Sequence, residues 1–168
     1  MSEETEVNDY QRGRSRPYKI YKPNKAGTGC ASQFQIVTYK NVRDKERVVL
    51  FVDIAPQIES KTENAAFGWQ EKNRCVTVQL DDNDISDLLL VLVGAKDSAG
   101  TGKGLYHKNP KGNTVIKLDH GDKGLFFGLS AQRDGQNVRL GHSLTANEAV
   151  ILTEIFKAYF VLKYGNVY

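Results

Sequence analysis

The sequence predicts an α+β fold in which a run of antiparallel strands followed by one helix occurs twice. Apolar residues alternate with period two in several segments, and this alternation twice gives way to a helical pattern behind a polar residue. The two helix starts, Leu80–Asp84 and Leu144–Glu148, also superpose: each has leucine, a capping residue and, three residues later, an acidic residue. The chain therefore divides into repeat one, about 18–96, and repeat two, about 104–165.

The N-terminal segment, residues 1–17, has an acidic start and three arginines but almost no apolar side chains. Such a segment cannot offset its ordering entropy by burial, so we predict a disordered tail. Residues 18–168 are predicted to form a single domain, since a chain of 168 residues suffices for two halves that share one core.

In repeat one, the strand pattern begins at Tyr18 and a helix follows the last strand. Its alternating sets are Phe34, Ile36 and Thr38, then Val48, Leu50, Val52 and Ile54, then Val76, Val78 and Leu80. Asp81 suits a helix N-cap, because its carboxylate accepts from the first-turn N–H groups, and Gly94 suits the helix end. The apolar positions of this helix include Ile85, Leu88, Leu89 and Leu92.

Repeat two follows the same plan. Its alternating sets are Thr114, Ile116 and Leu118, then Leu125, Phe127 and Leu129, then Val138, Leu140 and His142. Asp134-Gly135 predicts a hairpin turn between the last two strands. Thr145–Glu148 is a capping box, and the helix that it opens is predicted to run to about Tyr164, before Gly165.

The second helix is apolar nearly all round. One stripe holds Leu152, Ile155, Phe156, Tyr159 and Phe160, while Val150, Ile151, Ala158, Val161 and Leu162 cover much of the remainder. A helix that packs only on its own sheet needs one apolar face. We therefore expect a homo-oligomer with helices inside and sheets outside.

The composition fits a globular protein with a mild basic excess. The net charge is +3, which is compatible with a polyanionic partner but does not establish one. The longest apolar run, Leu88–Val93, is too short to span a bilayer, so no membrane partner is predicted. Cys30 and Cys75 form no metal-binding or redox pair and are expected to be reduced thiols.

Several motifs resemble chemical sites without meeting their requirements. Gly100–Lys103 looks like part of a phosphate loop, but Asp97 and Gly104 stand where a Walker A motif needs glycine and Ser or Thr. The acidic run Asp81–Asp87 lacks the glycine and the glutamate of a calcium loop, and helix capping explains it better. The three histidines are not spaced like metal ligands. We therefore predict no metal, no cofactor and no enzymatic activity.

The strand residues opposite the predicted core carry rings, cations and amides. This set is Gln35, Tyr39, Phe51, Trp69, Lys117, Phe126 and Arg139. An exposed sheet face of this kind suits single strands, because bases stack on rings and cations follow the phosphates. Two alternatives stay open: Phe51 and Phe126 packing under a neighbouring subunit, and Trp69 closing the core at a corner.

At this point the sequence resembles the Whirly family of single-stranded DNA-binding proteins, over nearly all of residues 20–165. Tyr21–Gly27 resembles the family signature Lys-Gly-Asn-Lys-Ala-Leu, and Phe67–Trp69 its aromatic-x-Trp. Gly94–Ser98 with Tyr106–Gly112 is similar to the stretch that joins the two repeats. Phe126–Ser130 and the final capped helix also fit. The order and spacing of these segments carry the resemblance.

The resemblance implies a homotetramer with helices at the centre and single strands lying along the sheets with little sequence preference. It further implies roles in genome maintenance, DNA repair or transcription, and a place in mitochondria or another organelle nucleoid. The cations that it adds to the site are Lys22, Lys25, Lys108 and Lys111. Pro23 and Gly27 depart from the signature, and Pro23 removes a backbone hydrogen-bond donor from that strand.

Three functions follow as hypotheses. The first is a non-catalytic single-stranded DNA-binding protein that protects or organises exposed strands, with an affinity that falls with salt. The second is single-stranded RNA binding and annealing, as in the related guide-RNA-binding proteins, because discrimination rests on contacts to the 2′-OH. The third, a small hydrolase or ligand-binding protein, requires a convergent polar pocket that the sequence does not indicate.

Overall fold

The computed structural model describes residues 11–40, 46–59, 65–110 and 112–165. Repeat one contains β1 (Gln11–Arg14), β2 (Tyr18–Lys22), β3 (Cys30–Lys40), β4 (Glu46–Pro56), β5 (Val76–Leu80) and α1 (Asp82–Leu92). Repeat two contains β6 (Leu105–Asn109), β7 (Gly112–Gly121), β8 (Gly124–Arg133), β9 (Gln136–Leu144) and α2 (Ala146–Tyr164). The predicted α+β class, with two antiparallel sheets each followed by a helix, is confirmed.

Sheet one has the strand order β1-β3-β4-β5, and β2 also pairs with β3. Since β4 occupies one edge of β3 along its whole length, β1 and β2 share the other edge. The predicted disordered tail is therefore wrong for Gln11–Arg14, which pair with Val37–Lys40. Backbone hydrogen bonds to an open strand edge order this segment, and burial of apolar side chains does not. Residues 1–10 lie outside the described part of the chain.

Sheet two is a four-stranded meander in the order β6-β7-β8-β9. The β8–β9 hairpin turns at Asp134 (φ 49°) and Gly135 (φ 74°), directly between the paired Arg133 and Gln136. Two positive φ values in a row are the requirement of the tight type I′ turn that Asp-Gly favours. The predicted hairpin turn is confirmed.

One hydrophobic core joins the two repeats. The ring of Phe34 on β3 lies 5.4 Å from that of Phe127 on β8 and 6.1 Å from that of Phe156 on α2. A buried polar contact crosses the same junction: the Ser32 hydroxyl lies 2.8 Å from Nε2 of His142, whose Nδ1 donates to the Ser143 carbonyl. The inner faces of both sheets and the inward stripes of both helices therefore form a single packed unit.

Both helices begin with the predicted capping boxes. Asp81 exchanges hydrogen bonds with Asp84 at the start of α1, and Thr145 does the same with Glu148 at the start of α2. Each pair satisfies two backbone N–H groups that a helix start leaves without partners. The capping residues Asp81 and Thr145 therefore determine where the last strand of each repeat ends and its helix begins.

The outward side of α2 is exposed and largely apolar, and it also carries the charged pair Glu154 and Lys157. Its inward stripe is Ala149, Leu152, Phe156 and Tyr159. On the other side Val150, Ile151, Val161 and Leu162 expose between 42% and 66% of their surface. The prediction of a helix that is apolar nearly all round is confirmed. In the part of the chain that the structure describes, no helix combines the length and apolarity needed to cross a bilayer.

Candidate nucleic-acid interface

Each sheet has an outer face, which we define as the face opposite the shared core. On sheet one the register places Gln35 beside Phe51, and Phe51 beside Gln79. On sheet two it places Tyr106, Val115, Ser130 and Arg139 in one row across all four strands. The side-chain alternation predicted for Gln35, Tyr39, Phe51, Lys117, Phe126 and Arg139 agrees with this register. All of these residues are at least partly exposed.

An aromatic cluster lies at the β2 end of the outer face of sheet one. Its members are Lys19, Tyr21, Phe67 and Trp69. The rings of Tyr21 and Phe67 are 5.5 Å apart, and Nζ of Lys19 lies 5.5 Å from the centre of the Trp69 ring. Since Lys19 points away from buried Ile20, this contact places Trp69 on the outer face. Trp69 therefore does not close the core at a corner, which was the alternative position for this residue.

The middle of the same outer face holds Gln35, Phe51 and Tyr39. The Gln35 side-chain amide donates to the Ser15 carbonyl over 2.7 Å, which ties it to the segment between β1 and β2. Phe51 is partly buried between Gln35 and Gln79. Tyr39 pairs with Arg47 on β4 and with Arg12 on β1 through the backbone register. Between the Gln35–Phe51 row and the Tyr39–Arg47 row, the same face holds the paired and buried Val37 and Val49.

The outer face of sheet two carries an open groove of about 340 Å³, which we call the Phe126 groove. Cations from three elements line it: Lys103, Lys117 and Arg139. Phe126 is 44% exposed. A Cβ at Gly141 would lie 2.4 Å from Cζ of Phe126, so the ring rests directly on the sheet backbone. Glycine at this position is what allows the ring to lie flat.

The four lysines added by the family resemblance lie in different surroundings. Lys22 places its Nζ 2.9 Å from the Glu148 carboxylate at the start of α2, on the helix side of sheet one. Partial burial alone would raise the pKa of Glu148, but hydrogen bonds from Lys22 and the Thr145 backbone lower it. Lys22 is thus engaged in an ion pair, and the structure does not bring it together with the outer-face residues.

The other three lysines differ from Lys22. Lys25 is exposed in the turn that follows β2, where the Thr28 amide donates to the Asn24 side chain. Lys108 is exposed on the edge strand β6, opposite Asn113 in the outer-face register of sheet two. Lys111 lies outside the described residues. Of the described lysines in this group, Lys108 alone falls in register with the outer face.

Sequence reasoning missed four exposed residues of these faces. They are Lys19 and Tyr21 on sheet one, and Lys103 and Tyr106 on sheet two. The signal for the first pair was present, because period-two alternation around Ile20 points both of them outward. Lys103 had no such signal: its position depends on a loop whose path only the structure shows.

The two cysteines lie in surroundings that disfavour their thiolate forms. Burial raises the pKa of the Cys30 thiol to about 11, although the backbone of Gly141 lowers it in part. Burial likewise raises the pKa of Cys75, so neither thiol is an activated nucleophile. Among the described residues, no group of three potential ligands is placed to hold a metal ion.

Comparison with known proteins gives a match at the level of structure alone. No family model and no curated protein matches the sequence. WHY1 from Arabidopsis thaliana superposes with a TM-score of 0.65 at 18% identity, covering 89% of this chain and 84% of that one. The plant transcriptional regulator PBF-2 gives 0.64 at 19% identity, covering 89% and 81%. A guide-RNA-binding protein complex bound to a gRNA gives 0.57 at 12% identity, covering 90% and 92%.

The fold therefore defines a class: two sheet-and-helix repeats around one shared core. Within that class the fold is that of the Whirly proteins, to which WHY1 and PBF-2 belong. The resemblance stated from the sequence is confirmed for the fold.

Proposed function

We propose that this protein binds single-stranded nucleic acid along its outer sheet faces, without doing chemistry on it. The observation that carries the proposal is the pairing of exposed rings with cations on both faces, in the aromatic cluster and in the Phe126 groove. Bases stack on rings with little regard to sequence, and cations neutralise the phosphates. DNA is the principal substrate proposed, and the role is to protect or organise exposed strands.

The helices of the described chain do not fit the alternative of duplex recognition. The first turn of α1 is acidic, with Asp82 and Asp84, and would repel a phosphate backbone. The outward side of α2 is largely apolar. A recognition helix that binds in the major groove needs polar and cationic side chains instead. Flat, ring-bearing sheets suit unpaired bases instead.

RNA binding is the second candidate. A solved structure with this fold is that of a protein complex bound to a gRNA, which supports an RNA substrate for the same outer faces. Stacking and phosphate contacts serve both polymers, and only contacts to the 2′-OH separate them. The experiment that tests the proposal therefore compares DNA and RNA in the same assay.

A competition experiment tests the proposal. Labelled oligo(dT) is displaced by unlabelled single-stranded DNA, single-stranded RNA or duplex of equal length, at two salt concentrations. We expect single strands to compete far better than duplex, with affinities that fall as salt rises. Equal or tighter binding of duplex would refute the proposal, and preference for RNA would select the second candidate.

We further propose a homotetramer assembled through α2. The exposed apolar side chains of that helix, Val150, Ile151, Val161 and Leu162, form a surface that a partner copy would bury. Light scattering should report about four chains for the wild type and fewer for Leu162→Glu. Lys72→Glu, an equal charge reversal at an exposed position outside α2, in the turn before β5, is the control. Phe156→Glu is unsuitable, because Phe156 is buried in the chain's own core. A monomeric wild type would refute this assembly.

A further inference from the structure

The loop between α1 and β6 has one glycine of positive φ near its start, Gly94 (76°), and three at its end: Gly100 (66°), Gly102 (91°) and Gly104 (90°). A Cβ at Gly100 would lie 2.3 Å from the Gly104 carbonyl oxygen, and one at Gly104 would lie 2.6 Å from the Ile116 carbonyl oxygen. The loop therefore closes on itself and lies directly against β7. Side chains would prevent both approaches, so glycine is required here for shape.

The base of this loop is held in place. Asp87 on α1 accepts hydrogen bonds from the Gly100 amide (2.6 Å) and from Nζ of Lys96 (2.5 Å). Ala99 is fully buried, and its amide donates to the Leu118 carbonyl. The tip of the loop is exposed, and it carries Lys103 to the rim of the Phe126 groove. A fixed base and a short closed turn make Lys103 a positioned cation.

The groove that Lys103 reaches combines one ring with three cations. Lys103, Lys117 and Arg139 come from the loop, β7 and β9. Asp119, the register partner of Phe126 on β7, lies beside the ring but does not line the groove. Its volume, about 340 Å³, falls in the range of roughly 300–1,000 Å³ typical of small-molecule sites. A ring beside a cluster of positive charge is complementary to a planar group that carries an anion.

We propose that the Phe126 groove is a seat for one nucleotide, with its base stacked on Phe126 and its phosphate held by Lys103, Lys117 and Arg139. This rests on the proposed function, since the seated nucleotide would be one unit of the bound strand. The glycine loop differs from a phosphate-binding P-loop: it presents a side-chain cation and does not cradle the phosphate with its backbone. Stacking on the Phe126 ring is open to any base, because every base has a flat aromatic face.

Thymidine 5′-monophosphate and thymidine are the probes, followed in amide NMR spectra of the full-length protein. The monophosphate should shift the amides of Gly128 and Gly141 and of the loop tip. Lys103→Ala should weaken the response to the monophosphate and leave that to thymidine unchanged. Phe126→Leu should abolish both responses and weaken oligo(dT) binding about 5- to 150-fold, the loss expected for one base stack.

Two further variants keep the test decisive. Phe126→Tyr retains a stacking ring and should bind like the wild type even if Phe126→Leu loses stability. Lys123→Ala, at an exposed cation of the β7–β8 turn that does not line the groove, should leave the monophosphate response unchanged. If wild type and folded Phe126→Leu bind oligo(dT) equally and the monophosphate shifts no groove amide, the seat is refuted and the proposed function stands. If the wild type binds no oligonucleotide, both are refuted.

Discussion

The carboxylate of Asp82 joins the start of α1 to the end of α2. It accepts hydrogen bonds from the Tyr159 hydroxyl (2.7 Å), from Nζ of Lys163 (2.6 Å) and from the Tyr164 hydroxyl. Partial burial alone would raise the pKa of Asp82, but these three donors outweigh it and lower the pKa to about 2. The ionised form is therefore the one that the folded protein stabilises, and we predict that Asp82→Asn destabilises it.

The size of this effect follows from the pKa. A fall from 3.8 to about 2 corresponds to an upper bound of roughly 2.5 kcal/mol, at ~1.36 kcal/mol per pH unit. Because 34% of the Asp82 side chain is exposed, solvent screening reduces the expected contribution to about 1 kcal/mol. A lowered folded-state pKa gives stability that is complete above pH 3.8 and is lost as the pH falls toward 2.

Urea denaturation of wild type and Asp82→Asn at several pH values measures this contribution. The variant should be less stable by about 1 kcal/mol at pH 7, and the difference should shrink below pH 4. Asp122→Asn, at an exposed turn position, is the control and should show no such difference. A deficit of the same size at pH 3 and pH 7 would show that the charge of Asp82 is not its source.

Three further predictions concern affinity, pH and packing. Trp69→Ala should weaken oligo(dT) binding by about 1–3 kcal/mol without changing the slope of log K against log salt concentration. Lys19→Ala should reduce the size of that slope by roughly 0.7. Salt titrations that show the reverse would contradict the proposed roles. Burial lowers the pKa of His142, so wild-type stability should decline as the pH falls below 6.5; His142→Gln should decline less, as urea midpoints at pH 7 and 5 would show. Leu88→Ala should cost about 2–5 kcal/mol in the core, and exposed Leu90→Ala less than about 1, by the same denaturation assay.

The sequence predicted the parts of the fold that burial and capping determine. Inward residues such as Phe34 and Leu129 follow from alternation, and both capping boxes follow from local side-chain chemistry. β1 could not be predicted in this way, because backbone pairing to β3 orders it. The short edge strand β6 has no fully buried position among its described side chains, so its sequence shows little of the apolar alternation on which the prediction relied.

The residues of the candidate site likewise fall into those that strand alternation predicts and those that depend on long-range contacts. Alternation alone placed Phe51, Phe126 and Arg139 on the outer faces, since one strand fixes both of its faces at once. It could not show that Lys22 is paired with Glu148, a contact between residues 126 apart in the sequence. Nor could it bring Lys103 to Phe126, because that depends on three glycines in left-handed conformations and on close contact with β7.

The three-ring junction of Phe34, Phe127 and Phe156 has a consequence for how this chain folds. Phe34 belongs to repeat one and the other two rings to repeat two, so neither repeat can close its own interior. During synthesis, about 120 further residues must be made after Phe34 before Phe156 of α2 is present. Until then the core-facing side of sheet one, with Phe34, stays open to solvent and to other nascent chains. Such long-range closure favours slow, all-or-none folding, and separately expressed halves should fail to fold until they are mixed.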